Sequence, residues 1–284
     1  MSLFFVDNNC DLGNELIGKM SIECIDFPYL LDGKVMTFDY DYSKLVSKSK
    51  KLLKIEALEL SKENYVSIFK QCFDRGDDVI YLYASEKIFN TKNLTDAKTQ
   101  LEQLYPDRKL LLIDSCSFSI GQGLISYDIA MQYRNGATIS EIEEYSYKIK
   151  NEYALYLTVD TANTLVDNGL VPSTMVAGAS LSVKPILTID FDGSFQLVEK
   201  VSGKKRAVSK MVDYIRQYGS NVADYPIGIV YSDNETQANE LREKVVEYFG
   251  EEAKILMGRF SPSNLSIVGV GAIGICFHVK KKSV

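Results

Sequence analysis

The sequence predicts an α/β fold in two domains, an N-terminal parallel sheet between helices and a C-terminal α+β domain with a mixed sheet. Two observations support this prediction. In the first half, short apolar runs such as Leu110–Ile113 alternate with helix-like segments, which is typical of parallel strands joined by helical crossovers. In the second half, Pro185–Phe191 and Phe195–Val201 flank Asp192-Gly193, a dipeptide that favours a tight antiparallel hairpin.

The predicted strands of the first domain are short and almost wholly apolar, as expected of strands buried on both faces. They are Leu3–Val6, Val79–Tyr83, Leu110–Ile113 and Tyr153–Val159. Amphipathic helices are predicted between them, and the last of these begins with a capping box at Thr138-Ile139-Ser140-Glu141. Because Tyr153–Val159 ends this alternation, we place the domain boundary there and predict domains 1–158 and 159–284.

The second half contains a long uncharged segment, Phe260–Val279, that has the length of a membrane span. It includes Pro262, Asn264, several serines and three glycines, and its compact apolar part is only Ile267–Val279. A glycine turn that leads into a buried strand explains this pattern better, so no membrane insertion is predicted.

Composition and charge narrow the classes of function. A net charge of −6 argues against a nucleic-acid backbone as the partner. The apolar run Leu3–Val6 ends at Asp7 and is too short for the core of a secretory signal, so we expect a cytoplasmic protein. The single histidine, His278, sits late in an apolar run and is predicted to be a buried strand-end residue. We therefore predict no metal site, no cofactor and no catalytic residues.

Small and polar residues follow the most apolar of the predicted strands. After Leu110–Ile113, serines and glycines dominate Asp114–Gly123, and a helix-like apolar spacing then resumes. A strand, a polar turn and a helix start place free backbone N–H groups at the carboxyl end of a sheet, where open α/β folds bind anionic ligands. The same residue types also cap helices and allow close packing. Local sequence favours the second interpretation and leaves the first open.

Six short motifs occur in order along nearly the whole chain. They are VDNNCDL (Val6–Leu12), LLDGK (Leu30–Lys34), IDSCSFSIGQG (Ile113–Gly123), VDT (Val159–Thr161), VKPIL (Val183–Leu187) and GVGAIG (Gly269–Gly274). In sequence and in order, these motifs resemble those of the DegV family of bacterial fatty-acid-binding proteins.

The resemblance implies the two-domain DegV fold, also called the EDD fold, with one fatty acid held between the domains. Members of the family place the carboxyl group at the cleft, present it to a separate fatty acid kinase and do no chemistry themselves. The resemblance therefore implies a non-enzymatic carrier whose partners are a long-chain fatty acid, or a similar apolar ligand, and a kinase. It also shifts the interpretation of Asp114–Gly123 towards a ligand contact.

The chain departs from the family where the carboxylate is expected to bind. The family's S-G-T loop aligns with Phe89-Asn90-Thr91, and its Thr-Ser pair aligns with Ala57 and Leu58. The family's head-group histidine falls on Ile267, and the arginine of its G-R-I motif falls on Leu170. A carboxylate buried without hydrogen bonds costs several kcal/mol. The ligand of this divergent member is therefore neutral, differently placed, held by substitute residues, or lost.

Nine lipid-binding positions are predicted from the motifs and departures. They are Asn8, Phe89, Asn90, Thr91, Ser115, Ser119, Gly121, Ser266 and Ile267. If a fatty acid binds, Asn90 and Thr91 are expected to hold its polar end with the side-chain amide and hydroxyl. With Ile267 at the histidine position, no group that titrates near pH 6–7 is expected at the site.

Two further hypotheses stay open beside the carrier. One is a partner-binding or regulatory module that kept the fold and lost the ligand, with its apolar substitutions closing the pocket. The other is an enzyme for a small phosphorylated substrate, with Asp114–Gly123 as an anion cradle. Its candidate general bases are the carboxylates at predicted strand ends, Asp7, Asp114 and Asp160.

Overall fold

The computed structural model describes residues 2–37, 42–50, 54–180 and 182–282 and confirms an α/β fold with one parallel and one mixed sheet. The strands are β1 (Ser2–Asp7), β2 (Glu23–Ile25), β3 (Tyr29–Leu31), β4 (Lys34–Met36), β5 (Ile55–Ala57), β6 (Asp78–Tyr83), β7 (Leu110–Asp114), β8 (Tyr153–Thr158), β9 (Val183–Ile189), β10 (Phe195–Ser202), β11 (Ile227–Tyr231), β12 (Ile255–Arg259) and β13 (Ile273–His278). The helices are α1 (Asn14–Lys19), α2 (Tyr42–Lys50), α3 (Lys62–Asp74), α4 (Lys92–Leu104), α5 (Ile120–Arg134), α6 (Ile139–Ile149), α7 (Asn163–Asp167), α8 (Lys204–Tyr218), α9 (Glu235–Phe249) and α10 (Pro262–Val268). A short 3-10 helix, Asn8–Cys10, follows β1.

The first sheet has four parallel strands in the order β2-β1-β6-β7. Helices α3 and α4 cover one face, where Phe69 and Leu101 are fully buried, and α5 lies on the other side. Burial on both faces explains why the strands are so apolar. The predicted strands at Leu3–Val6, Val79–Tyr83 and Leu110–Ile113 are confirmed.

The second sheet has six strands in the order β10-β9-β8-β13-β11-β12. Strands β9 and β10 form the predicted antiparallel hairpin. Gly193 in its turn has a φ of +89°, which favours glycine, so the Asp192-Gly193 prediction is confirmed with its physical reason. Helices α8 and α9 cover the outer face of this sheet, with Met211 and Leu241 fully buried.

Strand β8 belongs to the second sheet, where it pairs antiparallel with β13 and with β9. The expectation that Tyr153–Val159 continues the parallel pattern of the first half is therefore wrong. An apolar run indicates that a strand is buried, but it does not indicate to which sheet the strand belongs. Leu155 and Leu157 are buried, and they would be buried in either sheet. The domain division between residues 158 and 159 remains a prediction. Strand β8, which this division assigns to the N-terminal domain, pairs with strands that follow it in the chain.

Helix α5 lies between the two sheets. It packs against β8, β11 and β13 of the second sheet and against the 3-10 helix after β1. Its first seven residues, Ile120–Ser126, are all buried. A Cβ atom on Gly123 would lie 2.5 Å from the Cys10 carbonyl oxygen, so this helix packs closer than a side chain would allow. One hydrophobic core runs through α5 from the first sheet to the second.

A small antiparallel sheet, in the order β4-β3-β5, packs against α10 through β5. Helix α10 lies inside the uncharged segment at residues 260–279, where the sequence predicted a glycine turn and a buried strand. Strand β13 confirms that strand, whereas α10 was missed. Ser261 caps α10 by accepting a hydrogen bond from the Asn264 backbone N–H, and Pro262 begins the helix. No helix in the described ranges is long and apolar enough to cross a membrane.

Candidate functional site

A cavity of about 550 Å³ opens between the two halves of the molecule. Strand β5 and the loop before α4 form one side, and α7 and α10 form the other. Its volume is in the range of small-molecule sites, about 300–1,000 Å³. About half of its described wall is apolar. These residues are Phe27, Ile55, Ala57, Leu58, Ile88, Phe89, Leu170, Leu265 and Ile267.

A short series of hydrogen bonds through Ser85 holds the loop before α4 in place. The backbone N–H groups of Ile88 and Phe89 both donate to the Ser85 carbonyl at 3.0 Å. The Ser85 hydroxyl in turn donates to the Gly193 carbonyl at 2.8 Å, in the hairpin between β9 and β10. This cavity wall is therefore tied to the second sheet as well as to the first.

Four of the nine predicted site residues line this cavity: Phe89, Asn90, Ser266 and Ile267. Thr91 lies beside them and lines, with Phe89 and Asn90, a small adjoining pocket of about 20 Å³. The other positions where the chain departs from the family also meet here. They are Ala57, Leu58 and Leu170. The positions at which the resemblance to the family predicts carboxylate binding therefore lie together at this cavity.

Asn90 and Thr91 differ in how many of their side-chain hydrogen-bonding groups already have a protein partner. The Asn90 amide donates to a Glu59 carboxylate oxygen at 3.1 Å, and its side-chain oxygen accepts from the Lys92 backbone N–H at 3.0 Å. Thr91 precedes α4, and within the described structure its side chain makes no capping hydrogen bond. The Thr91 hydroxyl is therefore the readier of the two for a ligand.

Comparison with known proteins identifies the family. A model of the DegV family, described as "Uncharacterised protein, DegV family", matches residues 4–280. The chain belongs to the DegV family. A DegV domain-containing protein of Clostridium perfringens is 25% identical to it, over 97% of this chain and 96% of the relative. The resemblance drawn from the six motifs is confirmed along almost the whole chain.

Two solved DegV structures share its fold. A DegV family protein from Ruminococcus gnavus, refined with vaccenic acid, superposes with a TM-score of 0.84 at 20% identity and covers 97% of this chain and 99% of its own. A fatty-acid-binding DegV family protein from Thermus thermophilus superposes with a TM-score of 0.85 at 18% identity, covering 98% of this chain and 99% of its own. These likenesses confirm the predicted two-part DegV architecture.

In this DegV protein the serine- and glycine-rich stretch lies outside the described lining of the cavity. The Ser115 hydroxyl is fully buried and accepts from the Ser117 backbone N–H at 3.2 Å. Gly121 packs against Ser117 and Leu155. The side chain of Ser119 donates a hydrogen bond to a buried aspartate, described next. Ser115 therefore stabilises its own turn, whereas Ser119 and Gly121 contribute to the packing of α5 between the sheets.

Asp11 is the centre of a buried hydrogen-bond network that positions α10. It accepts hydrogen bonds from the Ser119 hydroxyl, from the Ser261 backbone N–H at 2.7 Å and from the Asn264 amide at 2.8 Å. Asn264 also donates to the Asn9 carbonyl at 2.7 Å. Burial raises the pKa of Asp11 to about 7, and its hydrogen bonds oppose that rise. Sequence analysis missed this network because its members are brought together only by the fold.

Asn8 is another predicted site residue outside the cavity lining, and it belongs to this neighbourhood. Its side-chain oxygen accepts from the Phe27 backbone N–H at 3.3 Å. Asn8 lines a separate cavity of about 380 Å³ together with Asp11 and Arg259. The Arg259 guanidinium is already engaged, by the Tyr231 hydroxyl at 3.1 Å and by a second, acidic partner in α9.

Asp7 is a second buried carboxyl and lines the small pocket beside Asn90 and Thr91. It accepts hydrogen bonds from the Tyr81 hydroxyl at 2.9 Å and from the Gln122 amide at 3.1 Å. Burial raises the pKa of Asp7 to about 6, against the effect of those hydrogen bonds. A carboxyl with a pKa raised to about 6 therefore lies beside Asn90 and Thr91, where the sequence predicted no group that titrates near pH 6–7. The sequence shows that Asp7 follows a strand but not how completely it is buried.

The three candidate bases of the enzyme hypothesis do not come together. Asp114 accepts from the Cys116 backbone N–H at 2.7 Å, whereas Asp160 pairs with Lys184 at 3.3 Å and with Lys204 at 3.1 Å. Asp7 belongs to the separate network described above. In the part of the chain that the structure describes, no group of three or more histidine, cysteine or acidic side chains is arranged to hold a metal ion.

His278 is the buried strand-end residue that the sequence predicted. It ends β13 and forms a hydrogen bond with the Ser220 carbonyl at 2.9 Å. Its ring stacks on Tyr225, with 3.9 Å between ring centroids, and it lies 3.4 Å from Glu152. These contacts lie at the opposite end of β13 from the loop that leads out of α10.

Proposed function

We propose that this DegV protein is a lipid carrier that holds one long acyl chain, from a fatty acid or a similar apolar ligand, in the cavity between its two halves. The observation that supports it most directly is the open, half-apolar cavity of about 550 Å³ at that junction. An acyl chain gains free energy by leaving water for such a wall, at about 25 cal/mol for each Å² of apolar surface buried.

The relatives support the class of ligand. The Ruminococcus gnavus structure contains vaccenic acid, and the Thermus thermophilus protein is a fatty-acid-binding member of the family. Both share the fold of this chain along nearly its whole length. A long single-chain lipid is therefore the ligand that fits both the cavity and the family.

The proposal has a finer part. The protein does no chemistry itself, works in the cytoplasm, and presents the polar end of its ligand to a partner kinase. The exposed position of Asn90 and Asp167 at the cavity supports the presentation to a partner, because a partner can reach a ligand there without opening the core.

Native mass spectrometry of the purified protein tests the carrier function. A bound acyl species, or its appearance after incubation with lipid, is the expected result. Failure to load any single-chain lipid would overturn the proposal.

A pair of substitutions locates the ligand. Ala57→Trp places a bulky side chain on the cavity wall and is expected to reduce loading at least about tenfold, because ligand and indole compete for the same volume. Ala223→Trp makes the same change at an exposed position outside the lining and is expected to leave loading unchanged. Equal loading of both variants would place the ligand elsewhere.

The second candidate, a module that has lost its ligand, has one observation in its favour. The Ala57, Leu58, Leu170 and Ile267 side chains remove polar partners from the cavity wall. That hypothesis expects those side chains to close the pocket, whereas the cavity is open. The open cavity therefore supports the carrier.

A further inference from the structure

The described wall of the cavity carries more negative than positive charge. Three carboxylates, those of Glu56, Glu59 and Asp167, accompany one ammonium group, that of Lys54. The Lys54 ammonium lies 3.3 Å from a Glu56 carboxylate oxygen, so these two charges offset each other. Among the described lining residues, Glu59 and Asp167 are then left without a cation.

The other polar groups of the wall are neutral. They belong to Asn90, Thr164, Asn168, Ser263 and Ser266. The Thr164 hydroxyl oxygen is buried and has no hydrogen-bond partner among the residues described. Hydroxyls and amides of this kind bond to an alcohol, an amide or an ammonium group as readily as to a carboxylate. They therefore supply hydrogen bonds without offsetting the charge of the two carboxylates.

A carboxylate entering this cavity meets an unfavourable field. It gives up water and approaches Glu59 and Asp167, which repel it, while the described lining contains no arginine or histidine to offset its charge. An uncharged end avoids the repulsion, and an ammonium end is attracted to the same two carboxylates.

Resting on the carrier function proposed above, we infer that the cavity selects single-chain lipids whose polar end is uncharged or cationic over the fatty acid of equal chain length. The apolar wall provides affinity for the chain, and the charge at the wall provides the discrimination. The class of ligand is therefore a long-chain alcohol, amide, ester or amine.

A matched set of ligands tests this selectivity. Hexadecanol, hexadecylamine and hexadecanoate share one chain length and differ only in the polar end, with the amine protonated and the acid ionised at neutral pH. Each is delivered from cyclodextrin and titrated against Nile red, an uncharged dye, bound to the protein. We expect hexadecanoate to bind about fivefold more weakly than the alcohol or the amine.

The outcomes separate this inference from the carrier function. Equal or tighter binding of hexadecanoate overturns the selectivity and leaves the carrier intact. Binding of none of the three overturns the carrier function, and the selectivity with it. Tighter binding of the alcohol or the amine supports both.

Two double variants show whether the wall carboxylates cause the discrimination. Glu59→Gln with Asp167→Asn removes both negative charges at nearly constant volume. We expect this variant to narrow the affinity deficit of hexadecanoate at least threefold, which corresponds to about half of the free energy of a typical solvent-screened charge pair. Glu243→Gln with Asp213→Asn makes the same change of charge at exposed positions outside the lining and is expected to leave the deficit unchanged. An equal response of both pairs would assign the effect to net charge and overturn the role of the wall.

Discussion

Two parts of the structure contradict the expectation that polar loop residues bind a ligand and apolar residues form the core. They are the serine- and glycine-rich stretch after β7 and the cavity wall. Ser115, Ser119 and Gly121 have the composition of a ligand loop, yet other protein groups already use their hydroxyls and their lack of bulk. Ala57 and Ile267 have the composition of a core, yet they line a cavity. The comparison teaches that a polar loop residue indicates a ligand only where no protein group already uses it.

The buried carboxyl of Asp11 is expected to have the largest effect on stability. Burial raises the pKa of Asp11 from 3.8 to about 7 in the native state. Between these values the native protein binds more protons than the unfolded chain, so the contribution of Asp11 falls as pH rises through the window. The free energy of unfolding of the wild type, relative to Asp11→Asn, should decrease by about 1 kcal/mol for each pH unit there.

Urea unfolding of the wild type and of Asp11→Asn at successive pH values measures the difference between their free energies of unfolding. The contributions of titratable groups common to both proteins cancel in this difference. Asn239→Ala, which changes no titratable group and lies at an exposed position, serves as the control and should show no slope relative to the wild type. A difference that grows with rising pH would show that the native protein stabilises the charged form of Asp11, and a difference that does not change with pH would show that its pKa is not raised.

Close packing of α5 gives the next largest effect. Gly123→Ala places a methyl group 2.5 Å from the Cys10 carbonyl oxygen, so backbone must shift, and we expect a loss of about 1–3 kcal/mol in the free energy of unfolding. Gly18→Ala, in α1, meets no atom within 4 Å and should stabilise by up to about 1 kcal/mol. Urea denaturation of both variants checks the contrast, which similar midpoints would contradict.

Removing the polar groups predicted to hold a ligand is expected to have a smaller effect. Asn90→Ala with Thr91→Val should weaken lipid binding about fivefold, because one or two neutral hydrogen bonds are lost. Asn239→Ala with Thr236→Val repeats the change on the exposed face of α9 and should leave binding unchanged. Nile red displacement by hexadecanol reports both, and identical affinities would remove Asn90 and Thr91 from the site.

Restoring a charge partner at the apolar wall should have the smallest effect. The DegV resemblance places a head-group histidine at the position of Ile267, which lines the cavity. Ile267→His should raise the affinity for hexadecanoate about threefold below pH 6.5, where imidazole is protonated, and lose that gain above it. Ile267→Leu keeps the wall apolar, and its affinity relative to the wild type should not change with pH, because Asp7 is common to both proteins. A gain that is independent of pH would point to a change of shape rather than of charge.

Much of the fold followed from patterns in the chain. Three apolar runs became the parallel strands β1, β6 and β7, and Asp192-Gly193 became a hairpin turn. Strand β8 was assigned to the wrong sheet, because an apolar run has the same composition whichever strands it pairs with. Helix α10 was missed since its seven residues, rich in serine, have no clear helical spacing.

Sequence alone determined the DegV family, the two-part α/β architecture and the positions where the chain departs from its relatives, because motifs and hydrophobic periodicity are local properties. Only the tertiary structure decided that those departures surround one cavity, that Asp11 joins α5 to α10, and that Asp7 is buried beside Asn90. The reason is physical. Whether a serine, an aspartate or an isoleucine faces a ligand depends on groups distant in the chain that either bond to it or leave it exposed, and no local pattern records those partners.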